Sequence, residues 1–196
     1  GFEPGGRLKV LTDTDRDGRF DRATVVASNL PFPTGLMVWG DQVLVCAAPD
    51  ILRISADGSR REVLFTGFAT HNFQARVNGL RWGLDHWIHG SGGLFGGRIR
   101  HPASGREVAA TGRDFRFRLP GGEFEALPGV SQQGRVRDDF GNWFGNDNGS
   151  LLWSYPLPPD AAARGIEPPQ PRITSNRDDN RVFPTSVTLE RFNDPH

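Results

Sequence analysis

Apolar residues along this chain come in short runs closed by polar turns. The runs at 8–13, 24–30, 34–40, 42–48, 51–55 and 61–67 are rich in Val, Ile, Leu and Phe. Runs of this length and composition predict β-strands rather than helices. Gly40-Asp41 and Asp57-Gly58 fall between consecutive runs, where tight turns need residues that tolerate unusual backbone angles. A helix is expected at one place only, the short stretch Asp160 to Arg164, ended by Gly165.

The runs also repeat. Gly35 to Asp41 leads into Val43 to Cys46. Gly79 to Asp85 leads into Trp87 to Gly90, and Gly134 to Asn142 leads into Trp143 to Asn146. Each reads as strand, tight turn, strand. The three turns are roughly 44 and 57 residues apart, a period of the kind that blade-like repeats of about four strands produce. The expected fold class is therefore all-β: a β-propeller of four-stranded antiparallel blades, with this chain a partial ring of about three to four blades. A half blade is expected at 7–29 and blades at about 31–68, 71–129 and 131–173. A further blade starts at about 185–196. A parallel α/β fold is excluded, because no helices lie between the strands. The chain opens at Gly1 in mid-pattern and is read as an excised piece of a longer ring.

The densest run of charge is Asp13-Thr-Asp15-Arg-Asp17-Gly18-Arg19-Phe-Asp21. Carboxylates at alternate positions around a tight turn can aim several oxygens at one point, as in the first half of an EF-hand loop. The twelfth position of such a loop falls on Thr24, so this is no EF-hand. Asp21 is expected to close the loop instead, with the Arg19 carbonyl as a further ligand. Four aspartates in nine residues repel one another without a cation. The expectation is a structural Ca²⁺ held by Asp13, Asp15, Asp17, Arg19 and Asp21; the alternative is a solvated Asp-Gly hairpin.

Composition narrows the partners. The chain of 196 residues has formal net charge zero, which argues against a nucleic-acid or polyanion binder. No apolar run approaches the ~18 residues of a membrane span. Cys46 is the single cysteine, so neither an internal disulfide nor a Cys-x-x-Cys-His haem site exists here.

Several segments together resemble a known family. They are Leu30 to Gly35, Val45 to Ile51, Val63 to Gly67, Thr70 to Arg76, Gly112 to Phe117, Asn142 to Asn148 and Leu189 to Asp194. The chain resembles the membrane-bound dehydrogenase propeller family of bacteria, related to the PQQ-dependent soluble glucose and sorbosone dehydrogenases. The resemblance implies an extracytoplasmic protein, periplasmic or membrane-associated, that oxidises sugars or related alcohols. It also implies PQQ as cofactor and an electron acceptor, such as a cytochrome c domain, outside this chain.

In the soluble sugar dehydrogenases of that group a histidine opens an inner strand and an arginine follows. His71 and Arg76 resemble this pair, which makes His71 the candidate general base and Arg76 its catalytic partner. Asn78, Arg135, Asn146 and Asp147 stand at corresponding ends of neighbouring blades and are the candidate cofactor contacts. A neutral imidazole is a suitable base near pH 7, and a guanidinium suits a carboxylate or developing oxyanion. Read from the residues alone, His71 could equally line a pocket or sit in a loop between blades. His86 reads as a turn residue, and His89 as facing the channel or packing between blades. The competing function is a non-catalytic extracytoplasmic propeller that binds glycan or protein.

Overall fold

The computed structural model describes residues 3–148 and 152–156. Among these residues every regular element is a strand, and every strand pair is antiparallel. The expected helix at 160–164 and the tail at 185–196 lie outside the described residues.

β1 (Gly6–Thr12) and β2 (Arg22–Leu30) form a two-stranded hairpin. β3 (Gly35–Trp39), β4 (Gln42–Ala47), β5 (Asp50–Ser55) and β6 (Arg61–Phe68) follow as a meander. Each coincides within a few residues with an apolar run of the sequence, because short runs of apolar and β-branched residues between turns favour extended, paired backbone. β4 is buried on both faces. Val43, Val45 and Ala47 pack toward Leu8 and Leu30 of the first hairpin. Leu44 and Cys46 pack the other way, against Phe65, Leu80, Ile88 and Phe117.

The next stretch departs from the expected blade at 71–129. β7 (Asn78–Trp82) and β8 (Ile88–Ser91) pair with β11 (Phe115–Arg118) and β12 (Glu123–Ala126) in one four-stranded sheet. The hairpin between them, β9 (Gly97–Arg100) and β10 (Glu107–Ala109), leaves that sheet. It adds to the free edge of β6, extending the preceding sheet to six strands. Strand signals along the chain give no information on which sheet edge a hairpin joins, so this crossing was invisible in the sequence. β13 (Val136–Arg137), β14 (Trp143–Gly145) and β15 (Trp153–Tyr155) make the last sheet.

The sheets stack in chain order, with a core between each pair. Between the six- and four-stranded sheets lies an aromatic cluster, where the Phe65 ring centroid is 5.1 Å from Phe117 and 5.0 Å from Phe124. Burying a phenyl side chain of this kind contributes about 1.5–3 kcal/mol. Between the third and fourth sheets His89 stacks on Trp143 at 4.1 Å. The first strands of three consecutive sheets also lie side by side. A Cβ on Gly79 would stand 2.5 Å from the Gly134 Cα, and one on Gly35 would stand 3.5 Å from the Gly79 nitrogen. Gly35, Gly79 and Gly134 are the repeated glycines of the sequence, and at Gly79 only a residue without a side chain allows the backbones so close.

Candidate functional site

The convergence of these three first strands brings together the loops that precede them. Thr34 stands before β3, Phe73 to Arg76 before β7, and Gln132 and Gln133 before β13. With Asn78 and Asn148 they line a cleft of about 520 Å³, within the range that holds small ligands. Side chains tie the loops to one another. Thr34 Oγ1 donates to the Val77 carbonyl at 2.5 Å, and Asn78 Nδ2 donates to the carbonyls of Arg76 (2.7 Å) and Gln132 (2.8 Å). The Asn148 amide donates to Gln132 Oε1 at 3.1 Å, and Gln133 Nε2 to the Gln74 carbonyl at 3.3 Å. These bonds use one half of each amide. Asn78 Oδ1, Gln132 Nε2 and Gln133 Oε1 keep their hydrogen-bonding capacity, with no partner among the described residues.

Arg76 and Phe73 form a wall shared with a second cleft. That cleft, of about 560 Å³, is mainly apolar and is lined by Pro4, Pro31, Phe32, Pro33 and Thr70, with Glu3 also contributing. Arg76 is 7 % exposed. Its Nη2 donates to the Thr70 carbonyl at 2.8 Å, and its guanidinium carbon lies 4.5 Å from the Phe73 ring and 4.8 Å from Phe32.

The expected site residues are only partly assembled. Arg76 and Asn78 share the polar cleft. His71 lines neither cleft: its exposed ring lies 4.3 Å from Phe95. Asn146 and Asp147, both half-buried, are absent from both linings as well. The Asn146 carbonyl accepts from the Gln132 amide at 2.8 Å and so supports the cleft from behind. Arg135 is not at the cleft but in the interior, 2 % exposed, with Nη1 3.5 Å from Asp114 and its guanidinium 3.8 Å above the Tyr155 ring. The expected cofactor contact is thus turned instead toward the buried Asp114 carboxylate. Asn148, which follows Asn146 and Asp147 in the run expected to meet ligand, does line the cleft, whereas Phe73 and Gln132 were not expected there. The signal for those two was their place in the loops that lead into the strands of the repeated glycines.

Charged groups form two networks, one fully buried and one reaching the surface. Asp114 accepts from Ser131 Oγ (2.7 Å), the Ser131 amide (3.0 Å) and the Gly92 amide (3.0 Å). Burial pushes its carboxyl above the usual range, opposed by Arg135 and these donors. In the other, Asp85 meets His89 Nε2 at 3.2 Å and Arg116 at 3.0 Å, and Arg116 also pairs with Glu125 at 2.7 Å. The Arg116 guanidinium is enclosed by these two carboxylates and the Trp87 ring, 4.5 Å away. Burial lowers the His89 imidazole to about 4, against the pull of Asp85 and helped by Arg135.

At the acidic hairpin, carboxylate oxygens of Asp13, Asp15 and Asp17 lie within 4.8 Å of one another. Oxygens about 2.4 Å from a shared Ca²⁺ would stand at such separations, so this donor set fits a hard cation. Asp21 does not join them. Its carboxylate accepts from the Thr14 amide at 3.0 Å and from Thr14 Oγ1, and it clamps the neck of the hairpin instead. PQQ fits less well. It carries three carboxylates, whereas the polar cleft offers a single cation, Arg76, with one guanidinium nitrogen already committed to Thr70. The remaining polar groups there are neutral, so these residues do not match a tricarboxylate.

No helix among the described residues is long and apolar enough to cross a membrane. A comparison with curated proteins finds no match to this chain. Residues 1–196 match the family described as Domain of unknown function (DUF7133), and the chain belongs to that family.

Proposed function

We propose that the stacked sheets are an arc of a β-propeller and that the arc is a binding module for hydroxyl-rich ligands, glycans above all, outside the cytoplasm. The single observation that carries this is the cleft where the loops before β3, β7 and β13 converge. Amide groups with spare donors and acceptors beside an exposed phenyl ring suit sugar hydroxyls and the apolar face of a pyranose. The face-to-face order of the sheets, and the neighbouring first strands at Gly35, Gly79 and Gly134, support the propeller reading. We further propose that Asp13, Asp15 and Asp17 hold a structural Ca²⁺ at the first hairpin.

A second reading is oxidation of a sugar or alcohol, in which PQQ would accept hydride and pass electrons to a cytochrome c domain or other acceptor beyond this chain. Arg76 in the cleft wall favours it; His71 against Phe95 and the lone cation weigh against it. The test is a glycan array with the full chain, wild type and Gln133→Ala/Asn148→Ala, and dye reduction with PQQ, Ca²⁺ and a sugar panel. The binding reading expects glycan retention that falls tenfold or more in the double variant, and no dye reduction that depends on His71. Absence of any glycan binding, with His71-dependent turnover, would falsify it in favour of oxidation.

A further inference from the structure

Three arginines are buried among the described residues: Arg76, Arg116 and Arg135. Two have carboxylate partners, Arg116 in Asp85 and Glu125 and Arg135 in Asp114. Among the described residues Arg76 has no ion pair, not even with Glu3, which lines the apolar cleft with it. Its one hydrogen bond among them is to the Thr70 carbonyl, and its Nε is buried without a partner. Two phenyl rings cover it. They attract a cation but do not neutralise it. A buried guanidinium without a counter-ion is costly, and elsewhere in this chain that cost is met by a carboxylate within the fold. Arg76 lines both of the clefts described above, and neither Arg116 nor Arg135 lines either of them. On the polar side its neighbours are Thr34, Gln74, Asn78, Gln132 and Gln133, all neutral hydrogen-bonding groups.

We propose that the counter-ion of Arg76 is supplied by the ligand, and that the polar cleft takes acidic sugars, hexuronate units whose carboxylate meets Arg76 while their hydroxyls meet the amides. This rests on the reading of the cleft as a glycan site and names the class of glycan. A single carboxylate matches a single cation. A sugar phosphate or a tricarboxylate would bring charge that the neutral remainder of the lining leaves unpaired. With Nη2 on Thr70 and Nε enclosed, the contact runs mainly through Nη1 and orients the ring by its acid end. The Phe73 ring, beside the guanidinium, then faces the sugar body.

The experiment is calorimetry with the full chain and matched methyl glycosides in the gluco, galacto and manno series. Each series is offered as neutral hexoside, hexuronide and hexuronide methyl ester. In at least one series the hexuronide should bind tenfold or more tightly than its hexoside, and the methyl ester should lose that preference. In Arg76→Gln the preference should shrink to within twofold. The ester comparison is made on wild type and holds even if that variant does not fold. Hexosides that bind as well as hexuronides overturn the inference and leave the glycan reading standing. No binding by any sugar overturns both. A preference that survives in folded Arg76→Gln removes Arg76 from the assignment, and binding of PQQ without any hexuronide preference returns the cleft to the oxidative reading.

Discussion

His89 shows how far a buried side chain's environment can move its chemistry away from what its type suggests. It is fully enclosed, stacked on Trp143 and hydrogen-bonded to Asp85, with Arg116 and Arg135 nearby and Glu125 beyond Arg116. Its folded-state value is about 4 against 6.5 for a free imidazole. Below pH 6.5 the unfolded chain takes up a proton that the folded chain refuses until about pH 4. Stability therefore falls as pH drops through that window, by about 3 kcal/mol in all. Urea titrations from pH 7.5 to 4 should show this slope in wild type. In His89→Phe it should be absent, and the difference between the two curves isolates His89 from the opposing titration of Asp114. The acidic hairpin gives a second residue-scale expectation. Asp15→Ala and Asp17→Ala should weaken calcium binding tenfold or more in calorimetry, whereas Asp21→Ala, clamped to Thr14, should change it less than threefold. Equal losses at all three positions, or no heat from wild type, would be the contrary result. The sequence displayed the aspartate spacing but not this division of labour, because Thr14 is a competing partner that spacing arguments ignore.

Strands were the most legible elements. β1 to β6 follow the apolar runs closely because run length, β-branched composition and turn chemistry agree there. What could not be read was pairing between distant segments. Arg135 meets Asp114 and β9 joins β6 through tertiary packing, and neither leaves a mark in a local window. The repeated glycines lie between these extremes: visible as a pattern, explained only by the contact between first strands. Gly79 has φ of 66°, and a Cβ there would overlap the Gly134 backbone. Gly79→Ala should cost about 2–4 kcal/mol, combining left-handed strain with overpacking. Gly112 has φ of 62° with nothing within 4 Å, so Gly112→Ala carries the strain alone, about 1 kcal/mol. Denaturant midpoints for the two variants measure the contact between first strands as a difference. Equal losses would mean that contact contributes nothing.

At the scale of the molecule, the polar cleft exists only because three sheets share it: no single sheet contributes more than part of the lining. That arrangement explains why His71 and Arg76, close in sequence, part company in space. Arg76 turns in beneath Phe32 and Phe73, while His71 leaves toward Phe95. The exchanged hairpin has a consequence of another kind. β6 gains its outer neighbour only from residues 97–109, which the ribosome delivers about thirty residues after β6 itself. During synthesis the second sheet is left with a bare edge until the third has begun to form. The two sheets must then mature together, and a chain cut between them near residue 69 would leave that edge unprotected, open to pairing with another nascent chain.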